Sequence, residues 1–116
     1  MRWTLDRRGT ERHLDFDVLD DLEREIIGRC LSAAARGPFF PDWELSVLFG
    51  LDRSELRAIV DAWPSMRDSE MASLAVNNSV VNLLGYPGDE DWDEWIGVPR
   101  ERVGGILLKL QESPSA

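Results

Sequence analysis

The sequence predicts an all-α, single compact domain of about five helices, and three observations predict it. Apolar residues recur with a period near 3.6 in five stretches. Each stretch is bounded by a capping residue, a glycine or a proline, and none alternates with the period of two that a half-buried strand requires. One core accommodates 116 residues, and a chain of this size buries roughly two thirds of the surface its unfolded form exposes. Hydrophobic content of 43% with 30% charged residues describes a folded globular chain rather than a disordered one.

Helices are expected over most of 17–37, 42–50, 53–63, 69–84 and 99–111, with flexible ends at 1–14 and 112–116. The first begins near Asp17, with Asp20 and Asp21 at the positive end of the helix dipole. Val18, Leu19, Leu22, Ile26, Cys30, Leu31 and Ala34 form its stripe until Gly37 and Pro38 end it. Gly28, inside this helix, costs about 1 kcal/mol relative to alanine and suggests either close packing against a neighbour or simple tolerance of the cost. Phe39 and Phe40, held between Pro38 and Pro41, are poorly placed for a helix and plug the core from a loop.

The stretch PDWELSVLFGLDRSELRAIVDAWP, Pro41 to Pro64, brings two amphipathic patterns together across Gly50 with the spacing of a helix–turn–helix. Trp43, Leu45, Leu48 and Phe49 precede the glycine, and Leu56, Ile59, Val60 and Trp63 follow it. Asp52 with Glu55 three residues on makes a capping-box start for the second helix. The next helix runs to Leu84, with Met71, Leu74, Ala75, Val81 and Leu84 as its stripe and Gly85 as a left-handed terminator. Val98-Pro99 opens the last, whose buried face is Val103, Ile106, Leu107 and Leu110. Gly104 and Gly105 weaken that helix, so another helix is expected to pass close to them.

Charge narrows the partners. Thirteen basic and 22 acidic residues give a formal charge of −9, which opposes approach to a polyanion unless the cations gather on one face. Residues 1–13 sum to +2, whereas residues 85–97 carry five carboxylates and no cation. If the helix–turn–helix reads DNA, Arg53, Ser54 and Arg57 face the groove, in a unit that would act as a dimer. Asp52, Glu55 and Asp61 interleave with them and leave the face nearly neutral, so nucleic acid is the less favoured partner. No stretch approaches the ~20 apolar residues of a membrane span, and the N-terminus lacks an apolar signal-peptide core, so the expectation is a cytoplasmic chain.

The partner-binding candidates are Asp89, Glu90, Asp91, Trp92, Asp93, Glu94 and Trp95, an acidic and aromatic loop within which Asp91 caps a short turn through Trp95. Two indoles ringed by carboxylates suit a protein with a basic surface, or else fold inward and leave only the carboxylates in water. The carboxylate spacing also has the start of a calcium loop. That loop needs a glycine where Glu94 stands and a glutamate where Arg100 stands. Asn77, Asn78 and Asn82 share one helix, and side-chain capping of a neighbouring loop is favoured there over a small-molecule pocket at Asn78 and Asn82. Cys30 is the single cysteine, expected as a buried apolar group, and His13 the single histidine, expected to be exposed.

No catalytic residues, metal ligands or cofactor are implied. There is no phosphate-cradling glycine loop, no dinucleotide fingerprint, no zinc-ligand set, and no nucleophile beside His13. The segments PDWELSVLFGLDRSELRAIVDAWP and WDEWIGVPRERV resemble a group of small acidic uncharacterised bacterial proteins, a resemblance that implies no activity and transfers no site residue. The sequence thus points to a non-enzymatic protein-binding module of inhibitor, immunity or adaptor type. The alternatives are a helix–turn–helix regulator and a small-molecule-binding protein.

Overall fold

The computed structural model describes residues 13–14, 16–63, 65, 70–86, 88–112 and 114–115. Among the described residues six α-helices make one globule: α1 (Asp21–Arg36), α2 (Asp42–Phe49), α3 (Arg53–Ala62), α4 (Glu70–Leu84), α5 (Asp89–Trp95) and α6 (Arg100–Glu112). A single 3₁₀ turn at Phe16–Val18 precedes α1. Two-residue strands β1 (His13–Leu14) and β2 (Pro114–Ser115) pair antiparallel, His13 opposite Ser115, so the two ends of the described chain meet. The start expected at residue 69 for the helix ending at Leu84, and the side chain of His13, lie outside the described residues.

Local chemistry explains the helix ends. The first helix starts later than Asp17: Asp20 accepts from the Glu23 amide at 2.8 Å while Glu23 accepts from the Asp20 amide at 2.9 Å. This reciprocal capping box satisfies two amides that have no intrahelical partner. Asp52 and Glu55 repeat the arrangement at α3. Between α2 and α3, Gly50 takes φ +72°, the left-handed turn that a side chain resists, and its amide closes on the Ser46 carbonyl. Gly85 does not adopt that conformation; among the described residues only Gly50 and Gly97 have positive φ.

α1 and α4 form the centre, and the other helices pack around them. Ile26, Ile27, Cys30, Leu31 and Ala34 of α1 are buried, as are Ala75, Val76, Val80 and Leu83 of α4. Phe39 and Phe40 plug the core from the α1–α2 loop as expected, Phe39 edge-on to Tyr86 at 4.7 Å and Phe40 edge-on to Phe49 at 5.3 Å. The first pair ties the loop before α2 to the segment before α5, and the second ties it to the end of α2.

Several expected core positions are instead at the surface. Leu22, Trp43, Leu48, Met71 and Val81 are exposed, because each lies on the flank of its helix away from the α1–α4 centre. The glycines also trade roles. A Cβ at Gly28 would sit 3.1 Å from Trp63 Cδ1, a tight approach that a side chain could enter only if the indole gave way by a few tenths of an ångström. At Gly104 the nearest atom is Leu84 Cδ1 at 4.0 Å, and at Gly105 nothing lies within 4 Å. Among the described residues nothing approaches either glycine more closely than ordinary van der Waals contact, so the expected close helix approach is not found.

Candidate partner-binding site

The acidic segment 89–94 is a helix, not a loop. Asp89, Glu90 and Asp91 occupy its first turn, where negative charge complements the helix dipole, so the acidic run itself favours α5. Its periodicity is carried by few residues: Trp92 and Ile96 are buried, one turn apart, and Trp95 is half-buried against the core. A side chain every fourth position is enough when the helix is only two turns long.

Trp92 is therefore an inward anchor rather than an outward one. It is 2% exposed, and its indole N–H donates to the Val98 carbonyl at 2.6 Å. The Arg100 guanidinium covers its ring at 4.7 Å, bridges Asp89 at 2.7 Å and donates to the Tyr86 carbonyl at 3.2 Å. At the other end of α5, Arg29 of α1 donates to the Ile96 carbonyl at 3.1 Å, placing a cation at the negative helix terminus. Two arginines and one indole hold α5 in place. Glu90, Asp93 and Glu94 face solvent, and Asp91 is half-buried. A shallow depression of about 390 Å³ opens between α5 and α6, lined by Asp89, Trp92, Asp93, Pro99, Arg100 and Glu101. The helical backbone cannot wrap a cation as a calcium loop does, and among the described residues no three of His, Cys, Asp and Glu gather as a metal set.

The helix–turn–helix residues are separated by the structure. Arg53 points inward: its side chain is 20% exposed, and it donates to the Ala35 carbonyl at 2.6 Å, the Phe40 carbonyl at 2.5 Å and Asp42 at 2.5 Å. It ties α3 to the end of α1 and to the loop before α2. Ser54 and Arg57 remain exposed, Ser54 donating to Asp52 at 2.7 Å. Nearby Asp61 is bridged to Arg36 at 2.7 Å.

The asparagines cap their neighbours. Asn78 Nδ2 donates at 3.0 Å to the carbonyl of Phe49, the last residue of α2, and so satisfies a helix end that lacks an amide partner. Asn82 donates back to the Asn78 carbonyl at 2.8 Å, and Asn77 accepts from Gln111 of α6 at 3.0 Å. Cys30 is buried, and burial pushes its thiol up to about 12 despite the opposing charge of Arg29. It is neither a nucleophile nor a ligand at neutral pH.

One surface feature escaped the sequence reading: Trp43 and Val47 of α2 are 71% and 77% exposed, one turn apart on one face. The signal was present, because α2 carries apolar residues all round and only one side of an eight-residue surface helix can be buried. The chain matches no model of a known protein family, no curated protein and no solved structure.

Proposed function

We propose that this chain is a non-catalytic protein-binding module that engages a basic protein surface through the outward face of α5. The observation that carries this reading is that α5 is fastened from within by Trp92, Arg29 and Arg100 while Glu90, Asp93 and Glu94 stand in solvent. A rigid helix presents these carboxylates at no cost in ordering, and no Lys or Arg occurs between residues 68 and 99 to offset them. Such a face speeds encounter with a cationic partner and orients it. Trp95, half-buried at the edge of that face, supplies apolar contact.

A DNA reader is the weaker interpretation because Arg53 is engaged with two backbone carbonyls and a carboxylate, leaving Arg57 as the single exposed cation of α3. One phosphate contact is too little for a chain of charge −9. A small-molecule pocket at Asn78 and Asn82 is likewise less supported, since both side chains donate to backbone carbonyls. No helix among the described residues is long and apolar enough to cross a membrane.

The test is binding of fluorescent poly-lysine and of a duplex DNA fragment across a salt series. Glu90→Gln, Asp93→Asn and Glu94→Gln together should weaken poly-lysine binding more than the equal charge change at Asp21, Glu101 and Glu112, which lie on α1 and α6. DNA should not bind at physiological salt. Equal losses in the two triple variants would reject the α5 assignment, and DNA binding abolished by Arg57→Ala would install the helix–turn–helix reading instead.

A further inference from the structure

We infer that α2 and the flank of α4 beside it form an apolar docking face for a cationic amphipathic segment of the partner. Among the described residues seven large apolar side chains are exposed, and five of them, Trp43, Val47, Leu48, Met71 and Val81, belong to these two helices. The two helices that carry them pack against each other. Asn78 of α4 holds the Phe49 carbonyl at the end of α2, and Leu74 lies beside Gly50. Met71 stands one turn before Leu74 and Val81 one turn after Asn78, so all four share one row of α4. α2 buries Leu45 and Phe49 and turns Trp43 and Val47 outward.

Charge selects the occupant. Neither DWELSVLF of α2 nor EMASLAVNNSVVNLL of α4 contains a Lys or Arg. Arg53, the first cation after α2, is turned inward to the Ala35 and Phe40 carbonyls. Asp42, Glu44 and Asp52 border the apolar residues, and the described cations sit on α1, α3 and α6. Among the described residues an anionic lipid surface or a nucleic acid meets carboxylates here and no cation other than Arg53, which is taken up by Asp42 and two carbonyls, and a second copy brings the same carboxylates and the same −9. A segment with apolar residues on one side and Lys or Arg along its margins satisfies both features, in the manner of a helix laid on an apolar groove. Trp43 has the character of an interface anchor: large, rigid and solvent-facing before association. The inference rests on the basic-partner reading above and adds where the partner's apolar side seats.

The probe is a synthetic peptide of leucine and lysine arranged with helical period, compared with a permuted peptide of the same composition, by fluorescence anisotropy on the full chain. Trp43→Ser with Val47→Ser removes the face at exposed positions, and Val47→Lys reverses its affinity for cations; melting curves confirm that each variant folds. The expected result is that the periodic peptide binds more tightly than the permuted one and that each variant weakens it about tenfold or more. Absence of binding, equal binding of both peptides, or unchanged binding by the variants overturns the inference. A native dimer in sedimentation that Trp43→Ser with Val47→Ser abolishes also overturns it, by showing a second copy as the occupant. The poly-lysine series separates the two readings. If α5 neutralisation has no special effect there while the periodic peptide still depends on Trp43 and Val47, the face stands and the α5 assignment falls. The reverse pattern retains α5 and removes the face.

Discussion

Replacing Arg53 by alanine should destabilise the protein severely, because this side chain is a structural tie rather than a surface cation. It donates to the Ala35 carbonyl, in the last turn of α1, and to the Phe40 carbonyl in the following loop. Neither carbonyl gains another donor from the protein when the guanidinium is removed. A hydrogen bond to a charged group contributes about 1.5–3 kcal/mol, and the lower end applies because water reaches a site whose side chain is 20% exposed. Two such bonds give about 3 kcal/mol, and the bridge to largely exposed Asp42 adds little. At about 4 °C per kcal/mol for a chain of this length, the melting temperature should fall by about 12 °C. Arg53→Lys should recover less than half of the loss, since one ammonium cannot reproduce the fork. Arg57→Ala, at an exposed position, should shift melting by no more than about 2 °C. Circular dichroism melts of the three variants provide the measurement. An Arg53→Ala protein that melts within that small interval of the native one would refute the assignment and return Arg53 to the surface as a candidate for phosphate contact.

Glycine substitutions should differ by site. Gly105→Ala is expected to stabilise the protein by about 0.5–1 kcal/mol in denaturant titration, since the helix gains propensity and the new methyl meets nothing. Gly28→Leu should destabilise it, because Trp63, held against Phe16 at 5.2 Å and donating to the Arg24 carbonyl at 2.9 Å, cannot withdraw without losing both contacts. The Lys109 ammonium, with the Asp20 amide, holds the Glu23 carboxyl below the usual carboxylate range. A carboxyl depressed on folding stabilises the protein above its unfolded pKa of about 4.3, and that contribution is lost as pH falls through the lower folded value. Lys109→Met should therefore lower stability in full at neutral pH and converge on the native protein in acid, so that the acid limb of the stability profile below about pH 5 is flatter. Cys30 should resist a thiol-specific reagent in the native protein and react at once on unfolding, as a mass shift would show.

What the sequence determined by itself is the set of events that close within four or five residues. Asp52 and Glu55 announce a helix start because the two partners of a capping box are three residues apart, whatever surrounds them. Gly50 announces the break between two helices, although the left-handed conformation expected at Gly85 is found at Gly50 instead, and the prolines around Phe39 and Phe40 keep those rings off any helix. The all-α class and five of the six helices follow from such local terms. Tertiary structure decided everything that depends on which neighbour arrives. Trp43 and Trp92 occupy comparable apolar positions in their patterns, yet α2 packs on α4 with Trp43 left outside, while α1 packs on α5 and Arg100 at the start of α6 covers the Trp92 ring, so one indole is exposed and the other buried. Arg53 turned inward because two carbonyls left open by distant segments converge on it. Gly28 rather than Gly104 or Gly105 received the close contact, since Trp63 comes from 35 residues farther along the chain. Burial is a property of pairs of elements, and a one-dimensional period specifies a face without specifying what will cover it.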